Sequence, residues 1–170
     1  MTTASTVWAG QYLETVVDGR WEYVRRNGGR GAAVIFALTP ANELILVEQY
    51  RVPLGRSCIE LPAGIVGDED ARECFADAAI RELEEETGWR ADVMREAGTF
   101  ASTPGLAAEE FRLFAAGGLR QTGTGGGVDG EDITVHLVPL SGLNEFLKAA
   151  SARGAAIDKS LCLISLLRQF

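Results

Sequence analysis

The chain has almost no histidine. His136 is the only one in 170 residues, which leaves Ser-His-Asp, Cys-His and H-E-x-x-H chemistries with little material. Cysteine is sparse too. Cys58, Cys74 and Cys162 are widely spaced, odd in number and form no C-x-x-C, so they read as three reduced packing cysteines rather than a disulfide framework or zinc knuckle. No segment approaches the roughly 20 continuous apolar residues that span a bilayer. The start MTTASTVWAG lacks a charged n-region and an apolar h-region, and the expectation is a soluble cytoplasmic protein without a membrane partner. Basic charge is also short: 16 Lys and Arg against 24 Asp and Glu give a net charge of −8, which argues against a general nucleic-acid binder.

What the chain does have is apolar content, 46% of residues, enough for one domain spanning residues 1–170. Two strands, over residues 8–17 and 21–25, read as an N-terminal β-hairpin (residues 1–27) turned by Asp18-Gly19. Gly28-Gly29-Arg-Gly31 leads into an apolar strand over 32–38, which the turn at 39–42 joins to a partner strand over 43–50. A short strand with a loop follows at 58–66, then a helix at roughly 73–87, then strands near 91–100 and 111–116. The glycine-rich stretch 122–130 reads as either a loose tip or a mobile lid before a strand over 132–139, in which His136 is a packing residue. Residues 143–151 and 158–168 carry helical apolar spacing, with Leu161, Ile164, Leu166 and Leu167 as the buried set. Periodicity alone supports an α+β domain.

The most informative stretch is Gly67-Asp-Glu-Asp-Ala-Arg-Glu73, followed after seven residues by Arg81-Glu-Leu-Glu-Glu-Glu86-Thr-Gly88-Trp89. On a helix, Glu82, Glu85 and Glu86 fall within an arc of about 100°, opposite Ala76, Ala79, Ile80, Leu83 and Thr87. Three like charges so close raise one another's pKa, and a helix gains from the arrangement only if cations occupy it. Oxygen-only ligands favour Mg²⁺ or Mn²⁺. Gly88 is placed to end the helix, and Trp89 to pack back on the core. A glutamate cluster alone would read as an ordinary solvated face. Here the spacing G-x5-E-x7-R-E-U-x-E-E-x-G-U, with U a bulky apolar residue, is met at every fixed position from Gly67 to Trp89.

That spacing is the Nudix box, and the chain resembles the Nudix hydrolases. The resemblance implies an α/β/α sandwich with a mixed sheet, and a loop-helix-loop that holds two or three Mg²⁺ or Mn²⁺ ions against a nucleoside diphosphate linked to another moiety. Further segments resemble the ADP-ribose pyrophosphatase branch. Glu48-Gln-Tyr-Arg51 is similar to a strand whose arginine reaches the substrate phosphates, which implies that role for Arg51. Glu60-Leu-Pro-Ala-Gly64 is similar to a strand end whose alanine carbonyl ligates metal, implying Ala63. Gly64 here precedes Gly67 by three residues, an insertion that requires the chain to bulge if Ala63 is to keep its place. Pro104 lies sixteen residues after Gly88, as in that branch, and begins a loop in which Glu109 is placed for the distal ribose. Glu131 resembles a glutamate that acts on the attacking water, with Asp129 a weaker companion; it reads equally as a charged strand end. Trp21-Glu22 is similar to a pair that stacks and hydrogen-bonds adenine, while Trp8 or Tyr12 could add a second face across a dimer. Arg25 and Arg26 could meet phosphate, but read first as solvated hairpin arginines.

The resemblance therefore implies hydrolysis of the ADP-ribose pyrophosphate to AMP and ribose 5-phosphate. Glu82 and Glu86 are the implied metal ligands, Glu85 ligates or orients water, and Arg81 pairs with Glu73 to brace the loop. Another nucleotide sugar such as GDP-mannose, a nucleoside triphosphate, or a noncatalytic nucleotide-sensing role are the alternatives. The branch also implies a homodimer that swaps its N-terminal hairpin.

Overall fold

The central strands are apolar on both faces, and this decides the architecture. A strand with one solvated face alternates apolar with polar residues, whereas one covered on both sides is apolar throughout. In Ala32–Ala37, residues Ala33, Ile35 and Ala37 belong to one core cluster and Val34 and Phe36 to another. In Glu43–Arg51 the same split puts Ile45 on the first side and Leu44 and Leu46 on the second. A helix must therefore cover each side. The computed structural model describes residues 4–27, 30–67, 70, 72–128 and 130–169, apart from the side chains of 166, 168 and 169.

In chain order the strands are β1 (Ser5–Ala9), β2 (Leu13–Asp18), β3 (Trp21–Arg26), β4 (Ala32–Ala37), β5 (Glu43–Arg51), β6 (Arg56–Glu60) and β7 (Ala63–Ile65). Helix α1 (Phe75–Thr87) follows, then β8 (Trp89–Arg90), β9 (Val93–Ala101), β10 (Glu110–Gly117), β11 (Arg120–Gln121) and β12 (Ile133–Pro139). Helix α2 (Leu143–Ala152), β13 (Ala156–Ile157) and a 3₁₀ run over Lys159–Gln169 complete the chain. The two principal sheets have the orders β7-β4-β10-β9 and β12-β5-β6-β13, each mixed, with β10 parallel to β4 and β13 parallel to β6. On one side α1 buries Ala78, Ala79 and Leu83 against Ala33, Ile35, Ala37, Ile45 and Phe114. On the other, Ala150 of α2 and Leu161, Ile164 and Leu167 meet Val34, Phe36, Leu44 and Leu46. The result is the α/β/α sandwich expected from the resemblance. No helix among the described residues is long and apolar enough to cross a membrane.

Several expectations change in detail. The strand expected over 8–17 is two strands, making a three-stranded N-terminal sheet β1-β2-β3 in which β2 and β3 are the anticipated hairpin. The break falls at Gly10, whose N–H donates to the Leu13 carbonyl at 2.8 Å, while the Asn27 amide donates to the Gly10 and Gln11 carbonyls. β4 and β5 do not form a hairpin ladder: they meet at a single bridge, Leu38 to Leu44, and diverge into separate sheets. The segment 58–66 holds two strands, β6 ending at Glu60 and β7 starting at Ala63, because Leu61-Pro62 between them turns the chain from one sheet to the other. On α1 the apolar face is centred on Ala78, Ala79 and Leu83, with Ile80 and Ala76 only part-buried. The C-terminal tail is 3₁₀, and its buried residues Leu161, Ile164 and Leu167 recur every third position, the period of that helix. Leu166, Gly28 and Gly29 fall outside what is described.

Leu83 is fully buried where α1 meets the sheet. Leu83→Ala leaves a cavity the rigid strands cannot close, and a destabilisation of about 2–5 kcal/mol is expected in urea unfolding. A loss under about 1 kcal/mol would mean that α1 is not anchored as described.

Candidate active site

Helix α1 carries the box glutamates, and both its ends are closed. Cys74 is its N-cap, with extended backbone and its Sγ accepting from the Asp77 N–H at 3.4 Å. Glu73 therefore lies just outside the helix, not in its first turn. Gly88 ends it with φ 71°, a left-handed conformation suited to glycine, and donates to the Glu84 carbonyl at 2.8 Å.

Arg81 organises the acidic side. Its Nε donates to Glu73 Oε1 at 2.9 Å and its Nη2 to Glu73 Oε2 at 3.2 Å, a forked pair that also takes the Gly67 N–H on Oε2 at 3.3 Å. Nη1 of the same guanidinium reaches Glu82 Oε1 at 3.0 Å and Glu85 Oε2 at 2.9 Å. One cation thus ties the loop before α1 to two carboxylates on it. The Glu73 carboxyl is held below the ordinary range, chiefly by Arg81, and Arg81 is held above its own, chiefly by Glu73.

Glu86 is different: it is 5% exposed, and its nearest donor is a backbone group, the Ala63 N–H, 3.0 Å from Oε2. Burial pushes its carboxyl up to about 8, and Glu82 and Glu131 push in the same direction. Glu82 lies directly over Gly64, where a β-carbon would overlap its carboxyl group. The β6-β7 turn and α1 therefore bring Glu82, Glu86 and the main chain of Ala63 and Gly64 into one spot. In the insertion expected to bulge between Gly64 and Gly67, Ile65 continues strand β7 opposite Ala32 of β4, and Val66 sinks into the core as the chain turns at Gly67. Among the described residues no three Asp, Glu, His or Cys side chains stand as a metal-holding group; Glu85 is drawn toward Arg81. The donor set nonetheless suits a hard divalent cation. It is all oxygen, and among the described residues no cation directly contacts the buried Glu86 carboxylate to balance its ionised form.

Arg51, at the end of β5, makes a bidentate pair with Glu60 of β6, Nε to Oε1 at 2.7 Å and Nη2 to Oε2 at 2.8 Å. The pair raises the Arg51 pKa, and Glu86 adds to that. Sequence reasoning gave Arg51 a role but missed Glu60, whose signal was its place at the close of the antiparallel strand beside β5. Glu131 folds back so that its Oε2 takes the Val128 N–H at 3.3 Å. Asp129 lies outside the described residues. His136 packs, as expected, with its ring 5.0 Å from Phe146, and also contacts Glu48 at 2.9 Å.

A second region lies under the N-terminal sheet. Trp21 and Tyr23 line a cleft of about 360 Å³ with Asp18, Pro104, Gly105 and Ala107. Glu22 is not among its lining residues: successive strand residues point to opposite faces, and Trp21 and Tyr23 take this one. A neighbouring cleft of about 530 Å³ shares Pro104 and Ala107 and adds Arg25, Arg26, Arg30 and Glu109. In it Glu109 accepts from Arg26 Nε and Nη2 at 3.0 and 2.9 Å, and Arg30 donates to the Glu73 carbonyl at 2.6 Å. Arg26, read as a solvated arginine, is thus half-buried and paired across the cleft.

Residues 29–158 match the NUDIX domain family. The chain is 42% identical to a methanol dehydrogenase activator from Bacillus methanolicus over 69% of its own length and 61% of that protein's. It is 38% identical to an ADP-ribose pyrophosphatase from Bacillus subtilis over 51% of its length and 45% of the enzyme's. The matched part is thus about half to three-fifths of each relative. A crystal structure of an ADP compounds hydrolase superposes with a TM-score of 0.72 at 21% identity, covering 98% of this chain and 90% of that one, which shows a shared fold. With the box intact along α1, the chain belongs to the Nudix family.

Proposed function

We propose that the protein is a divalent-metal-dependent pyrophosphohydrolase that cleaves ADP-ribose, or a closely related nucleoside diphosphate sugar, into AMP and ribose 5-phosphate. The observation that carries this reading is the meeting of Glu82 and Glu86 with Ala63 and Gly64, with Arg51 and Glu131 both close enough to Glu86 to shift its titration. An acidic site can take an anionic substrate only with added positive charge. Mg²⁺ or Mn²⁺, two or three ions held by Glu82, Glu85, Glu86 and the Ala63 carbonyl, would supply it.

The chain's own groups do the rest. Arg51, fixed in orientation by Glu60, offers its remaining N–H groups to the phosphates. Glu131 accepts a proton from water as that oxygen bonds to one phosphorus; the bridging P–O bond breaks and the second phosphate departs with the electron pair. Glu73 and Arg81 are positioning residues that hold the loop and helix together. Trp21 stacks on adenine beside Pro104, Glu22 takes the exocyclic amine, and Glu109 meets the distal ribose. The clefts that Trp21, Pro104 and Glu109 line support that placement, and the names of the B. subtilis relative and the superposed hydrolase favour an ADP compound. Exposed Val7, Trp8, Tyr12 and Trp21 on the N-terminal sheet support a homodimer across that surface.

With Mg²⁺ or Mn²⁺, ADP-ribose is expected to release AMP faster than GDP-mannose or a nucleoside triphosphate, and excess EDTA to stop it. If ADP-ribose ranks among the poorest substrates the substrate reading is wrong, and tight binding without release points to a sensor. Glu86→Gln should lower kcat by on the order of 10³-fold or more with Tm preserved; a folded, active variant would sink the assignment. Trp21→Ala should raise KM for ADP-ribose about tenfold with kcat little changed, since base stacking is worth about 1–3 kcal/mol. In sedimentation the 18.2 kDa chain should run at twice its mass; a monomer at micromolar concentration would refute the dimer.

A further inference from the structure

The last four carbonyls of a helix lack intrahelical donors and must find others. In α1 these include the carbonyls of Glu85 and Glu86, and they are met by the glycine-rich segment 122–127. The Gly126 N–H donates to the Glu86 carbonyl at 2.9 Å and the Gly127 N–H to the Glu85 carbonyl at 3.1 Å. The Thr122 and Gly123 N–H groups both reach the Gly88 carbonyl, at 2.8 and 3.1 Å. So close an approach requires bare backbone. A β-carbon on Gly125, at φ 66°, would fall 2.5 Å from both the Glu86 carbonyl oxygen and Thr87 Cα. One on Gly88 would fall 2.6 Å from the Gly125 nitrogen.

The far end of the segment is fixed to Glu131. A β-carbon on Gly127 would lie 2.6 Å from Glu131 Cβ and from its Oε2. The Glu131 N–H donates to the Val128 carbonyl at 3.0 Å, and the Ile133 N–H to the Gly126 carbonyl at 3.3 Å, which ties the segment by main chain to the first residue of β12, whose side chain is buried. The stretch expected to be a loose tip or lid is, over 122–127, a main-chain clamp on the helix that carries the box glutamates.

We infer that Gly125 is a positioning residue: by letting this segment lie against the end of α1, it sets Glu131 at a fixed distance from Glu85 and Glu86, and the segment stays docked in the absence of substrate. The inference rests on the reading that Glu131 takes the proton from water. Proton transfer requires hydrogen-bond reach, and a displacement of about 1 Å can cost on the order of 10²-fold in rate.

The test joins amide hydrogen exchange on the full chain to a double-mutant cycle with ADP-ribose and Mg²⁺. Without substrate, the Gly126 and Gly127 amides should be protected to the degree of the last turn of α1; exchange at the rate of an open loop overturns the docking, whether or not any variant folds. Gly125→Ala should lower kcat at least about tenfold with KM changed less than about threefold. Gly154→Ala places the same strain, φ 95°, in open space far along the chain and should leave kcat unchanged. In a Glu131→Gln background Gly125→Ala should cost almost nothing further, because the distance it sets no longer matters. If Glu131→Gln is impaired and Gly125→Ala multiplies that loss in full, the positioning role is wrong while the proton-transfer reading stands. If Glu131→Gln turns over like the unaltered enzyme, that reading fails and takes the inference with it.

Discussion

A carboxylate at 5% exposure is costly to ionise, and the neighbourhood of Glu86 is arranged around that cost. The Ala63 N–H supplies one donor, but Glu82 and Glu131 add negative charge in the same place, so the site is short of positive charge by construction. Arg81 cannot make up the deficit at Glu86, because its guanidinium is already shared by Glu73, Glu82 and Glu85. Arg51 is spoken for by Glu60, though its charge reaches Glu86. A divalent cation would make up that deficit, and on the proposed function the same cation would let an acidic chain accept a pyrophosphate. The net charge of −8 and an anionic substrate would thereby be reconciled locally rather than over the surface.

Holding repelling groups together needs a stiff frame. α1 is pinned along its length by Ala78, Ala79 and Leu83 against strands that are themselves covered on the opposite side by α2 and the 3₁₀ tail. Small residues at Ala78 and Ala79, facing Ala33 and Ala37, let the helix sit close to β4. β4 also carries β7, so the strand that α1 packs on presents Ala63 and Gly64 to Glu82 and Glu86. Burial and the site are thus two consequences of one helix-to-strand contact.

The sequence was most legible where local chemistry decides. The α1 region, its Gly88 stop and the apolar run of β4 follow from spacing and residue type, and the Glu73-Arg81 pair from the resemblance. It was least legible where distant partners decide. Nothing near β4 and β5 announces that they part into different sheets, because β10 and β12, far along the chain, claim their edges. The break at Gly10 depends on Asn27, and the Arg26-Glu109 pair joins residues 83 positions apart. The three-residue offset between Gly64 and Gly67 read as a disturbance of the motif, yet Ile65 pairs with β4 and Val66 is buried in the core. Glycine in 122–130 signalled looseness, since composition reports freedom of the backbone and not whether another backbone lies against it.

That last case changes how the site divides its labour. The carboxylates of Glu85 and Glu86 and their own carbonyls face separate tasks: on the proposed function the side chains would serve the pyrophosphate, whereas the carbonyls accept from the segment leading to Glu131. A box built only of side chains would leave Glu131 to be placed by whatever loop followed. Here a helix end that needs donors and a glycine tract that offers them without side chains solve two problems at once. The clefts beside β3 and the 104–109 loop, proposed to take adenine and ribose, are joined to this assembly by Arg30 on the Glu73 carbonyl. On the proposed function, bond cleavage would be built into the end of α1, and discrimination among nucleoside diphosphates would fall to the clefts beside the N-terminal sheet.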